Sequence, residues 1–535
     1  MNATSPYALP PLAPFVPSGT QRSISVESLG LPAAALTPDL PDFGFPAEEP
    51  LAFPCDPTPL EDPQLCLVVP EVADLLGLQA EEISKSEGWK ALLSGTTTIK
   101  DRPAYASVYA GHQFGSFVPR LGDGRALNLA SVRGWVLQLK GAGTTPYARF
   151  ADGRAVLRSS VRELLCSEAM AGLSVPTTRA LSLVVSSTAV FRETPEPAAI
   201  VCRVAPSFVR FGHFEYFAAR GRSDLMMQLI DQLVLHQPEF SSLKPMTGGE
   251  RIAGLFELTV ARTAQLMAHW TAVGFMHGVM NTDNFSILGL TLDYGPFAWM
   301  EGFDPHQICN HSDHSGRYRF AHQPSIGLWN LERLLAALCT SPEVSAQRRE
   351  SIRDGLLEAY EQAFQSAFRQ RMASKLGVCP TLPKGEWEGI LNGLYTLLAS
   401  EQVDYSRFFC ALADCDPTSE EDAAWRPLQD QFLNASALTA WLRDFRPAAR
   451  ASAQVAGLKV WQGERAQQNP RFILRNWVAE EVIRALEDEG DLRPLQAASR
   501  FVSQPFARFE DDPLWVRWTG PAPDWAAQLS LSCSS

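Results

Sequence analysis

The sequence predicts an α+β fold in two parts, a β-rich first half and a helical second half that meet near residue 250. Trp135–Lys140 alternates as a strand, with Trp135, Leu137 and Leu139 on one face and Val136, Gln138 and Lys140 on the other. From about Gly254 the period becomes that of long helices, over Leu255–Val273, Leu328–Leu338 and Ser351–Ala373. Gly-rich turns and acidic motifs gather toward the join.

Thirteen of the 39 prolines lie in residues 1–60, which read as an extended arm, laid over the body or left loose. Residues 61–250 form the β-rich part, and 251–535 the helical part with a C-terminal extension. Pro70–Leu78 reads as a short helix, and Tyr105–Gly124 is rich in glycine and aromatics. Beyond the Trp135–Lys140 strand, Leu157–Ala171 sets Val161, Leu164, Leu165 and Ala169 at helical spacing. Leu181–Val185 and Ala199–Val204 read as strands, and Asn476–Glu489 as a helix before a Pro/Trp-rich end.

Composition narrows the function classes. With 46% hydrophobic and 20% charged residues over 535 positions, the chain can bury a large core. A net charge of −13 argues against a general nucleic-acid binder, which needs a basic footprint, but leaves room for a local phosphate pocket. No run of 18 apolar residues occurs, so no membrane-spanning helix is expected. Ten cysteines are too sparse for a disulfide scaffold. The first twenty residues lack a basic segment followed by an apolar core. The expected compartment is the cytoplasm, or the mitochondrion in a eukaryote.

Several motifs carry chemistry. Gly122-Asp123-Gly124-Arg125 is a Gly-flanked turn that by itself reads first as a hairpin with a solvated arginine, and also suits close approach of a phosphate. Lys140 closes an apolar strand, and Glu163 lies in the next helix, the arrangement that sets a cation against nucleotide phosphates. Gln138 shares the Lys140 face and is a candidate to line an adenine pocket. In Ala151-Asp152-Gly153-Arg154, Asp152 reads as either an N-cap or a nucleotide contact. Arg203 and Arg210 flank Pro206 and suit a polyphosphate.

The most specific cluster is His277–Asn284 followed by Asp293-Tyr294-Gly295. It repeats the spacing of the kinase loop H-R-D-x-x-x-x-N and of D-F-G. Val279 occupies the place of the usual catalytic aspartate, and Asp283 is the nearest replacement base. Asn284 and Asp293 supply hard oxygen ligands suited to Mg²⁺. The run Cys309-Asn310-His311-Ser312-Asp313-His314 lacks a second ligand pair and does not read as zinc.

Together with Tyr109–Gly115, Gln138–Tyr147, Asp152–Ser160, Val209–Glu215, Ile308–Asp313 and the terminal Ser532-Cys533-Ser534-Ser535, these motifs make the chain resemble the selenoprotein O family. The match runs in order from about residue 100 to the end. The resemblance implies a bilobal, protein-kinase-like fold, first taken for a pseudokinase, that binds ATP in reversed orientation. It implies transfer of AMP to Ser, Thr or Tyr hydroxyls of protein substrates, with release of pyrophosphate. Carried onto this sequence, it makes Asp283 the proton acceptor, and Asn284 and Asp293 the ligands of Mg²⁺ or Mn²⁺. Lys140, held by Glu163, contacts phosphates, and Gly122, Gly124, Arg125, Asp152, Gly153, Arg203, Arg210 and Asp293 complete the nucleotide site. It also pairs Cys309 with Cys533, where some members carry selenocysteine, in a redox-sensitive disulfide. A conventional phosphotransferase and a non-catalytic nucleotide-binding scaffold are the alternatives. Val279 speaks against the first, and the complete Lys, Glu, Asn and Asp set against the second.

Overall fold

The structure, a computed structural model, describes residues 22–46 and 50–531. In chain order the strands used below are β1 (Ala52–Pro54), β2 (Gln64–Val68), β3 (Tyr105–Ser107), β4 (Gly111–Gln113), β5 (Ser116–Val118), β6 (Ala126–Val132), β7 (Trp135–Lys140), β8 (Arg179–Phe191) and β9 (Pro195–Ala205). The helices are α1 (Leu157–Gly172), α2 (Phe211–Ala219), α3 (Gly248–Val273), α4 (Gln323–Leu338), α5 (Ala346–Leu376), α6 (Asn476–Glu489) and α7 (Arg493–Ser503). The chain is α+β, with its main sheet complete by residue 205 and long helices dominating after residue 248.

The main sheet runs β1-β3-β6-β7-β9-β8-β2, every pair antiparallel. Two short strands complete it, Leu36–Thr37 on β6 and Ala155–Val156 on β9. Within the proline-rich segment, therefore, Leu36–Thr37 and Ala52–Pro54 both hydrogen-bond into the sheet. The strand expected at Trp135–Lys140 has those bounds, and its turn from β6 uses Arg133 and Gly134 at φ +51° and +83°. Two left-handed residues match the twist of a tight hairpin. Register then matters for the site: Gln138 stands opposite Arg203, and Lys140 opposite Val201. Arg203 thereby joins Gln138 and Lys140 on one face.

The helix expected at Pro70–Leu78 spans Pro70–Leu75 and stops before Gly77, which is left-handed at φ +69°. α1 buries Leu157, Val161, Leu164, Leu165 and, among its polar residues, Arg162, Glu163 and Glu168. Its other support comes from the far end of the chain. Arg162 Nη1 donates to Asn476 Oδ1 at the start of α6, 3.1 Å away. A second apolar core, built on Met372, Phe408, Trp425 and Phe445, lies under the helices between residues 368 and 461. Among the described residues no helix is long and apolar enough to cross a membrane.

Candidate active site

A cleft of about 550 Å³ opens where the ends of β6 and β7, the Gly-rich turns and the loop after α3 come together. Gly122, Gly124, Arg125, Lys140, Asp152, Gly153, Arg203, Arg210, Asp283, Asn284 and Asp293 all line it. Glu163 stands behind Lys140 and reaches it from α1, with Oε2 2.5 Å from Lys140 Nζ.

The charges interlock. The second Glu163 oxygen lies 3.2 Å from Arg203 Nη1. Arg203 also pairs with one Asp293 oxygen and Arg210 with the other, while Lys140 Nζ is 3.5 Å from Asp293 Oδ1. Burial pushes the Asp293 carboxyl up, but Arg210, Arg203 and Lys140 outweigh it and hold the group well below the usual carboxylate range. Asp293 adopts φ +56°, a left-handed backbone that a non-glycine residue occupies only where its surroundings enforce it. Arg203 and Arg210 are 1% and 2% exposed, and the buried Nε atoms of both lack a hydrogen-bond partner among the described residues. Their positive charge at the cleft wall suits an anion.

Asp283, whose backbone carbonyl accepts from Arg210 Nη1 at 2.7 Å, is also buried, and burial pushes its carboxyl up to about 6 against the pull of Arg210. Gln113 Nε2 donates to its Oδ2 at 3.3 Å, and the buried Oδ1 has no hydrogen-bond partner among the described residues. A cleft-lining carboxyl raised toward neutrality is suited to take a proton. His277 is structural: its Nε2 lies 2.8 Å from the Leu292 carbonyl, and its ring stacks on Trp270. Asn284 Nδ2 donates to the Val279 carbonyl at 2.9 Å, so the amide oxygen is its atom able to ligate a cation.

The comparisons with known proteins decide the family. The model of the family described as "Protein adenylyltransferase SelO" matches residues 51–502. The chain belongs to the SelO family. A protein nucleotidyltransferase YdiU of Thiobacillus denitrificans is 44% identical over 492 residues, covering 90% of this chain and 95% of that protein. The protein of the same name from Variovorax paradoxus is 44% identical over 484 residues, covering 90% and 93%. That of Salmonella typhi is 42% identical over 487 residues, covering 90% and 96%. This SelO-family chain is an enzyme of the nucleotidyltransferase class.

Within this SelO-family cleft some residues depart from their expected contacts. Gln138 does not face the cavity: its amide donates to Asn128 Oδ1 at 2.9 Å and its oxygen accepts from Arg203. Its part is to hold Arg203 in place. Asp152 does not cap α1, whose N-cap is Val156. Instead it accepts the Arg154 N–H at 2.9 Å and pairs with Arg192 at 2.7 Å. Gly153 at φ +70° presses on the loop after β7 so closely that a Cβ there would lie 2.2 Å from Gly143 backbone atoms. Arg125 is exposed at the cleft.

Three contributors escaped the sequence reading. Arg192 arrives from the end of β8 with no motif around it. Asp123, between the two glycines, accepts from Ser107 N–H and Oγ at 3.0 and 2.6 Å and faces Arg210 at 3.9 Å. Tyr109 lies 4.9 Å under the Arg210 guanidinium. Asp123 carried a signal as an acid enclosed by glycines, and Tyr109 as the first residue of the Tyr109–Gly115 motif, but Arg192 carried none.

No group of three or more His, Cys, Asp or Glu side chains forms a metal cage among the described residues. Mg²⁺ does not require one, because it takes one or two protein oxygens and completes its shell from phosphates and water. The Asn284 amide oxygen and the Asp293 carboxylate line the cleft and are of that hard oxygen type, with Asp293 paired here to Arg203 and Arg210, which a bound cation would have to displace. Cys309 is buried, and burial pushes its thiol up to about 12. Its expected partner Cys533 lies outside the described residues.

Proposed function

We propose that this chain transfers AMP from ATP to Ser, Thr or Tyr hydroxyls of other proteins and releases pyrophosphate. We read the fold as kinase-like and two-lobed, the sheet with α1 on one side of the cleft and the α3–α4 region on the other, with ATP bound in reverse. The observation that carries the reading is the convergence of Lys140, Arg203 and Arg210 on Asp293 in the cleft that Asp283 also lines.

Cations set deep in a dry site favour the reaction where charge grows, and in adenylyl transfer it grows on the departing pyrophosphate. In the reversed pose the β- and γ-phosphates lie against Lys140, Arg203 and Arg210, and the α-phosphorus faces the acceptor. The hydroxyl oxygen bonds to the α-phosphorus and its proton passes to Asp283. The bond from that phosphorus to the α,β-bridging oxygen breaks, and the oxygen leaves with pyrophosphate. Asn284 and Asp293 would hold Mg²⁺ or Mn²⁺, which neutralises phosphate charge when bound. Val279 stands where a γ-phosphoryl transferase keeps its base, which weighs against ordinary kinase chemistry.

The deciding experiment supplies Mg²⁺ and ATP labelled at either the α- or the γ-phosphate. Label should reach protein from the α position alone. Incorporation from the γ position only would replace this reading with phosphoryl transfer.

We also propose that Cys309 and Cys533 form a disulfide that regulates the enzyme, the two electrons passing to a disulfide oxidant such as oxidised glutathione. In support, the His311 N–H donates to the Leu531 carbonyl at 2.9 Å, so the last described residue lies against the Cys309 loop.

A further inference from the structure

β8 runs 13 residues to Phe191 and turns back into β9 at Pro195, with the Arg192 N–H donating to the Thr194 carbonyl at 3.1 Å. Near its tip this hairpin is pinned to α1, because Arg158 Nε and Nη2 donate to the two Glu196 oxygens at 2.6 and 3.0 Å. The tip carries Arg192 to the Asp152–Arg154 turn on the cleft wall. Nη1 donates to Asp152 Oδ2 at 2.7 Å and to the Phe191 carbonyl at 3.0 Å. Nη2 donates to Asp152 Oδ1 and to the Arg154 carbonyl, both at 3.1 Å. Each Nη atom of a guanidinium carries two hydrogens, and here all of them meet protein oxygens. The fork of Arg192 is therefore spent on the turn and is not offered to a phosphate.

The turn is held from its other sides as well. The Gly143 N–H donates to the Gly153 carbonyl at 3.1 Å, and Arg154 donates to the Thr58 and Pro59 carbonyls at 2.8 and 3.0 Å. Asp152 Oδ1 accepts the Arg154 N–H as well as Arg192, whereas Oδ2 has Arg192 alone among the described residues. The Asp152 side chain is 42% exposed where it lines the cleft, so Oδ2 has room to accept another hydrogen bond. Its bonds to Arg192 hold the carboxyl below its ordinary range, so it is charged at neutral pH. A charged carboxylate repels a phosphate but accepts readily from a hydroxyl. With the phosphates against Lys140, Arg203 and Arg210, the ribose is the part of ATP whose donors match Asp152.

We propose that Arg192 is a positioning residue of the nucleotide site: it holds the Asp152–Arg154 turn in the form that receives the ribose hydroxyls of ATP, and it acts through Asp152 rather than on the phosphates. The inference rests on the reversed pose proposed above. It gives the nucleoside end of ATP a recognition element separate from the cationic phosphate clamp.

The test titrates the full-length enzyme, in Mg²⁺ buffer, with ATP and with inorganic tripolyphosphate, which lacks the nucleoside. Arg192→Gln should weaken ATP binding about tenfold while tripolyphosphate binding changes by less than about twofold, which also shows that the variant is folded. Arg192→Lys keeps the charge but not the fork, and should bind ATP as weakly as Arg192→Gln. Asp152→Asn should weaken ATP by a similar factor, and the double variant should be weaker than either single one by less than about twofold. In turnover the loss should fall on KM for ATP more than on kcat. Equal weakening of ATP and tripolyphosphate, parent-like ATP affinity in either Arg192 variant, or losses that multiply in the double variant would overturn the proposal. Binding is read without turnover, so the α- and γ-label experiment decides the transfer reading and these affinities decide the role of Arg192.

Discussion

Lys140 Nζ stands 2.5 Å from one oxygen of Glu163, and Arg203 Nη1 stands 3.2 Å from the other. A single buried carboxylate on α1 therefore spaces two cations, whose charges meet again at Asp293. The pairing makes Glu163 as much a stability element as a site element.

Glu163→Gln should expose that double role. It leaves Lys140 and Arg203 short of one negative charge at a position where Glu163 is 3% exposed. Removing one partner of a buried ion pair costs about 3–5 kcal/mol. Urea unfolding should show a loss of that size, and adenylyl transfer should fall with it. A loss below about 1 kcal/mol would mean that Asp293 alone neutralises both cations.

Asp283→Asn keeps the shape of the side chain and removes the proton acceptor. Transfer should slow by about 10²–10⁴-fold, the usual contribution of a general base. ATP affinity, measured by titration, should change by less than about threefold, because the phosphate contacts lie elsewhere. Full turnover by the variant would eliminate Asp283 as the base.

Gly111→Ala tests the same carboxylate by crowding. A Cβ at Gly111 would sit 2.5 Å from Asp283 Oδ1 and 2.9 Å from its Cβ and Cγ, so Asp283 must move. A displacement near 1 Å at a reacting group can cost about 10²-fold in rate. Single-turnover assays should show such a loss while circular dichroism stays unchanged. Parent-like rates would mean the loop yields without consequence.

Lys375 supplies a prediction remote from the cleft. Its side chain is 3% exposed, 4.1 Å from the centre of the Phe409 ring, and burial with Arg371 nearby pushes its ammonium down to about 7. Between pH 7 and about 10 the unfolded chain holds a proton that the folded chain has released, so stability should rise with pH across that window. Below it the folded lysine is charged and the penalty is fully present. Lys375→Met should flatten this rise and stabilise the protein at pH 7 by about 4 kcal/mol. Denaturant midpoints from pH 6 to 10 read both effects; a parent slope retained in the variant would assign the titration to another group.

For the proposed disulfide, mild oxidation with oxidised glutathione should yield a Cys309–Cys533 linked peptide on non-reducing digestion. Adding a dithiol should remove the link and change the transfer rate. Cys533→Ser should abolish both responses. Two thiols that remain open to alkylation after oxidation would refute the link, although the burial of Cys309 makes partial denaturation necessary to read it.

Local periodicity is what the sequence alone could determine. Trp135–Lys140, α1 and the long helices α3 to α5 declare themselves because apolar spacing of 2 or 3.6 residues is set by the backbone itself. The loop from His277 to Asn284 and the later Asp293 were legible for a different reason, since their chemistry needs residues at short, fixed separations. The tertiary structure alone decided how these parts meet. That Arg203 joins Lys140 on one face follows from the β7–β9 register, and that Gln138 props an arginine follows from the same pairing. Arg192 reaches the cleft across 40 residues from Asp152, and Asn476 reaches α1 across 314 residues. No pattern along the chain encodes such contacts, because they arise from long-range packing and mutual charge satisfaction that exist only once the sheet and helices have closed on each other.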